Sequence, residues 1–165
     1  MLKLSILKQH ASRRAGVLLS LMLILPIAAQ AGDLAVVVHP ANRLKDISSS
    51  DLARICKGQQ AKWPDGDLII IALRRPGSPE MKVVLEKIYR MQAYELATRL
   101  ESLNETEGPH ASVLLFDSDS ELIKAVERNP GALGVVDVYS ITQNVSVIRV
   151  DGKLPFQSGY LLHRR

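Results

Sequence analysis

One cysteine in 165 residues, Cys56, leaves no partner for a disulfide within the chain. Cys56 lies in an apolar helical stripe with no histidine in its sequence neighbourhood. It therefore reads as a small packed side chain rather than a nucleophile. His39, His110 and His163 are scattered, and no spacing among them suggests metal ligation, so neither metal nor cofactor is expected. Ser118 stands between Asp117 and Asp119, but the position reads as a helix cap. No enzyme assembles from these residues. Internal repeats, coiled-coil heptads and low-complexity tracts are absent as well.

Acids are missing altogether from the first 31 residues, which carry Lys3, Lys8, Arg13 and Arg14 and then an apolar run from Ala15 to Ala29. Ala29-Gln30-Ala31 before Gly32 is an A-x-A cleavage site, so residues 1–31 read as a secretory signal peptide cleaved after Ala31. Pro26 and the small residues closing the run argue against a retained membrane anchor, and no cysteine stands there for a lipid. Residues 32–165 read as one domain, with 17 basic and 17 acidic residues. The formal charge of +4 belongs to the leader. A nucleic-acid partner loses its compositional support, and export places the domain in the periplasm.

The stretch from Leu68 to Arg90 organises the rest. Leu68-Ile69-Ile70-Ile71-Ala72-Leu73 is an unbroken apolar run of the kind buried on both faces of a sheet. Arg74-Arg75-Pro76-Gly77 turns the chain, and Ser78-Pro79-Glu80 supplies a capping hydroxyl, a proline at the first helical position and an early acid. Two readings stay open at that turn. Helix starts present unpaired N–H groups, so arginines and a glycine there can cradle an anion, whereas arginines in a strand-to-helix turn also serve as solvated surface charges.

Around this stretch the pattern alternates. Leu34 to Val38 predicts a strand stopped by His39-Pro40, and Ser48-Ser49-Ser50-Asp51 caps a short helix ending at Lys57-Gly58. Trp63-Pro64-Asp65-Gly66 is a turn with Trp63 folded onto the core. Met81, Val84, Leu85, Ile88 and Met91, then Tyr94, Leu96, Ala97, Leu100 and Leu103, predict two helices with a bend. A polar loop over 104–111 leads to a strand at Ser112 to Phe116. Ser118 opens a helix stopped by Asn129-Pro130-Gly131, and Leu133 to Val136 predicts a strand. Val145 to Val150 predicts another, and Asp151-Gly152 a hairpin returning Leu154 to Leu162 along the sheet edge. The fold class is α/β, a mixed β-sheet flanked by helices.

Three stretches carry a resemblance: Val36-Val37-Val38-His39-Pro40-Ala41-Asn42, Leu52 to Lys62 with Trp63-Pro64-Asp65-Gly66, and Asn129-Pro130-Gly131-Ala132-Leu133-Gly134. In order and spacing the chain resembles short periplasmic relatives of phosphate ABC transporter substrate-binding proteins, a single lobe of the type 2 periplasmic-binding (PBP-like) fold. In the two-lobed members, an R-x-x-G-S-G-T segment holds phosphate. Arg74, Gly77 and Ser78 match its arginine, glycine and serine, while Pro79 and Glu80 stand where the second glycine and the threonine would be. The resemblance implies a small oxyanion such as phosphate held by Arg74, Gly77 and Ser78, and the local reading of the turn adds Arg75 to these candidate ligand-binding residues. It also implies that closing a cleft would need a second copy, as a homodimer, or another protein. Pro79 removes a donor N–H and Glu80 adds a like charge. These changes lead to the alternative of an accessory domain that has lost ligand capture and meets a transporter, porin or sensor.

Overall fold

Strand β1 (Leu34–Val38) is buried along its whole length, and its alternation divides the core in two. Leu34, Val36 and Val38 belong to one apolar cluster and Ala35 and Val37 to another, as expected for a strand covered by helices on both faces. A computed structural model describes residues 32–98 and 111–164, so residues 1–31, with the signal peptide expected there, lie outside the described residues.

The chain continues through β2 (Asp46–Ile47), α1 (Ser49–Cys56), β3 (Ile70–Arg74), α2 (Pro79–Val84), a helical stretch α3 over 93–98, β4 (Ser112–Phe116), α4 (Asp119–Arg128), β5 (Ala132–Asp137), β6 (Ser146–Val147) and β7 (Arg149–Val150). Five strands form one mixed sheet in the order β4-β3-β5-β1-β6, with β3, β4 and β5 mutually parallel and β1 antiparallel to β5 and β6. β2 and β7 make a separate two-stranded parallel pair. On one face α1 and α2 bring Leu52, Ile55, Met81 and Val84 onto Ile71, Leu73, Leu133 and Val135. On the other, α4 brings Leu122, Ile123 and Val126 onto Ala72, Ala132 and Val136. Gly134 is what lets α4 sit so close: a Cβ there would fall 2.7 Å from Leu122 Cδ2 and 3.0 Å from Val126 Cγ2.

Helices α1, α2 and α4 start where the caps place them. Ser48, Ser78 and Ser118 accept from the backbone N–H groups of Asp51, Met81 and Glu121. α2 widens at Leu85–Tyr89 into a π-turn and stops at Arg90, whose φ of 54° is left-handed. This is the expected bend. The Tyr89 hydroxyl donates to the carbonyl of Cys56 at 2.8 Å, tying the π-turn to α1. The part of the second expected helix at Leu100 and Leu103, and most of the loop over 104–111, lie outside the described residues.

Three expectations are corrected. The central strand begins at Ile70 rather than Leu68, which is 53 % exposed and bridges to Lys62. The expected strand from Val145 to Val150 is two short strands in different sheets, because Ile148 turns inward between them and donates its N–H to Val36. Asp151 and Gly152 do form a tight reversal at positive φ, with a single bridge from Val150 to Lys153. Leu154 to Leu162 then runs as turns, not a strand, fastened at its end by Leu34 N–H to the Leu162 carbonyl. β2 had no period to announce it, being two residues long.

Candidate functional site

Because β3, β4 and β5 run parallel, their carboxyl ends open on one edge of the sheet, the place where open α/β folds put their ligands. Arg74 ends β3 level with Phe116 of β4, Asp117 and Asp119 follow β4, and Asp137 ends β5. Both Ser78 and Ser118 start their helices here.

The sequence-predicted residues part company at this edge. The Arg74 guanidinium turns inward: Nη1 donates to Asp119 Oδ1 at 2.9 Å, Nη2 to the Asp117 carbonyl at 2.7 Å, and Nη1 lies 3.5 Å from Glu80 Oε2. Arg75 points outward and pairs through Nε with Asp117 Oδ1 at 2.8 Å, with side chains 58 % and 73 % exposed. Gly77 takes a φ of 96° that favours glycine, with open space where a Cβ would stand. The Ser78 hydroxyl oxygen accepts from its own helix at Met81 N–H. Arg74 and Ser78 are thus engaged with protein groups.

Asp119, Asp137 and Arg164 carry no signal for this cluster in the local pattern, and Glu80, read from the sequence as an early acid of its helix, joins them. Asp119 is nearly buried and spans the edge, its Oδ2 accepting from the backbone N–H of Asp137 at 3.1 Å. Glu80, 8 % exposed, accepts from Arg164 Nη2 at 2.9 Å. Arg164 also pairs with Asp137 Oδ2 at 3.1 Å. A reader who knew that β3 and β4 are parallel neighbours could have placed Asp119 beside Arg74; Arg164, from the far end of the chain, had no such clue.

A second pair holds the last segment down. Buried Asp33 accepts from Phe156 N–H and binds His163 Nδ1, both at 2.5 Å. A hollow of about 610 Å³ lined by Asp33, Lys87, Tyr160 and His163 opens beside it. Burial first, and the Asp33 charge second, raise the pKa of the Tyr160 hydroxyl. Cys56 is enclosed among apolar groups, and burial pushes its thiol up to about 12. No group of three or more metal-ligating side chains occurs among the described residues, and no helix there is long and apolar enough to cross a membrane.

The architecture matches solved transport receptors. An ABC-type phosphate transport receptor from Vibrio cholerae superposes with a TM-score of 0.61 at 21 % identity, over 75 % of this chain and 48 % of the receptor. The chain has a periplasmic-binding-protein-like fold. PstS from Borrelia burgdorferi matches this PBP-like lobe with a TM-score of 0.62 at 16 % identity, over 81 % of the chain and 55 % of PstS. A phosphate-bound substrate-binding protein of a phosphate ABC transporter class from Clostridium perfringens, itself described as putative, gives 0.56 at 22 %, over 73 % and 46 %. The PBP-like lobe therefore spans about half the length of these receptors. No family model and no curated protein matches the chain.

Proposed function

We propose that this PBP-like lobe is a transport-related recognition protein of the periplasm, delivered there by residues 1–31. It works through contact with a transporter, porin or sensor rather than by enclosing a free anion, and it is not an enzyme. The observation that carries the reading is the Asp119 carboxylate 2.9 Å from Arg74 Nη1, with Glu80 at 3.5 Å on the same nitrogen. Negative charge of the protein's own already fills the space in which Arg74 would meet an oxyanion, and a further anion would be repelled by both carboxylates. Tyr139 and Phe156 support the contact role. They stand 66 % and 67 % exposed, with ring centroids 6.3 Å apart, close to the same edge, and exposed aromatics are enriched where proteins meet.

The second reading keeps phosphate or a similar oxyanion as ligand, held by Arg74, Arg75, Gly77 and Ser78, with closure by a homodimer or another protein. It is favoured by the likeness to phosphate receptors and by the open space at Gly77. Calorimetric titration separates the two. Phosphate and sulfate should give no saturable heat with the purified protein; a saturable heat that Arg74→Ala abolishes would overturn the contact reading and establish anion capture.

A further inference from the structure

Glu80 is an acid at the second position of a helix, yet it points into the protein and divides its carboxylate between two guanidinium groups. Oε1 lies 2.9 Å from Arg164 Nη2 and Oε2 3.5 Å from Arg74 Nη1. The two arginines are far apart in the chain, and the carboxylate is what joins them. Their capacity is not used up: Arg74 Nε, Arg164 Nε and Glu80 Oε2 are buried without a hydrogen-bond partner, three of the four such side-chain atoms among the described residues. Buried polar groups are nearly always satisfied, so three exceptions around one carboxylate mark a place built for a planar anion and filled imperfectly by a tethered one.

We propose that Arg74 and Arg164 form a two-guanidinium seat for a carboxylate-sized oxyanion, and that Glu80 is its resident occupant. The proposal deepens the contact reading, in which the chain's own carboxylates close this edge, and rests on it. Guanidinium groups match the flat, two-oxygen shape of a carboxylate. Cutting Glu80 back to alanine leaves both cations facing a gap of that shape, and formate restores the charge and the two oxygens. Phosphate is bulkier and more highly charged, and Asp119 and Asp137, which stay in place beside Arg74 and Arg164, disfavour it.

Thermal unfolding of the Glu80→Ala protein, followed through Trp63 fluorescence in sodium formate, chloride or phosphate at equal ionic strength, tests the seat. Formate should raise the midpoint saturably, by about 3 °C or more over chloride. Phosphate should do less, and the wild type should show no difference between formate and chloride. Adding Arg164→Ala to Glu80→Ala should abolish the formate gain. If Glu80→Ala is unfolded in chloride, formate-dependent recovery of the native Trp63 signal on refolding is the readout. Equal midpoints in formate and chloride, an equal formate gain without Arg164, or no native signal in either salt would overturn the seat. Phosphate matching formate would overturn its size preference. A calorimetric heat of phosphate with the wild type would instead strike the contact reading and leave the formate comparison to decide this one.

Discussion

The two ends of the central strands are closed by opposite means. At the amino end, the Gly131 carbonyl accepts from Trp63 Nε1 at 2.9 Å and from Ile70 N–H at 3.1 Å. That closure is neutral, and its groups lose far less on leaving water than charged groups do. At the carboxyl end, Arg74 and Arg164 meet Glu80, Asp119 and Asp137, and three buried polar atoms remain without a hydrogen-bond partner. Desolvating charge is costly even when it is paired, so such clusters hold a fold together inefficiently. Stability alone would favour the first solution at both ends. The second lies at the edge where α/β folds bind their ligands, which is consistent with the proposed recognition role.

Removing Arg74 should break the comparison most severely. Arg74→Ala leaves Asp119 and one side of Glu80 without their cation in a nearly buried site, and the loss should be about 3–5 kcal/mol. Urea unfolding followed through Trp63, the single tryptophan, measures it. A loss below about 1 kcal/mol, the value of an exposed pair, would show that water already screens the cluster and that the two ends do not differ in kind.

The neutral end should respond more gently. Trp63→Phe keeps an aromatic body but removes the Nε1 donor, while Gly131 keeps its bond from Ile70. The cost should be about 1 kcal/mol, the net worth of one hydrogen bond, read from urea unfolding by far-ultraviolet circular dichroism. A loss as large as that of Arg74→Ala would mean that the amino end, not the charged one, is the keystone.

This contrast also explains what could be read from the sequence. At the amino end the two turns were legible because each is local: Trp63-Pro64-Asp65-Gly66 announces a turn and Asn129-Pro130-Gly131 stops a helix, whereas the bond from Trp63 to Gly131 that joins them spans 68 residues and was not. The helix starts at Ser48, Ser78 and Ser118 were legible for the same reason, since a cap and its partner lie three residues apart. β2 and the split at Ile148 were not, because they are set by distant pairing with Arg149, Val150 and Val36. The carboxyl end failed in the same way. Arg74, Gly77 and Ser78 could be picked out as a turn, but Asp119 is 45 residues from Arg74 and Arg164 is 84 from Glu80. Nothing in a local window says that an arginine in a turn will be claimed by a carboxylate that far away.

The smallest effect belongs to Arg75, and it sharpens the comparison because this residue is adjacent to Arg74 and of the same type. Its partner Asp117 sits close to Asp119 much as Arg75 sits beside Arg74, yet both members of the outer pair are more than half exposed. Water and salt screen such a pair, and holding two long side chains together has an entropic cost. Arg75→Ala should therefore lower stability by less than about 1 kcal/mol, and the difference from wild type should shrink further in high salt, where the Debye length falls to about 3 Å. Paired urea titrations at low and high sodium chloride read both. Should Arg75→Ala instead match Arg74→Ala in size and resist salt, exposure would not be what separates the two arginines, and the charged edge would have to be treated as one cooperative unit reaching out to the surface.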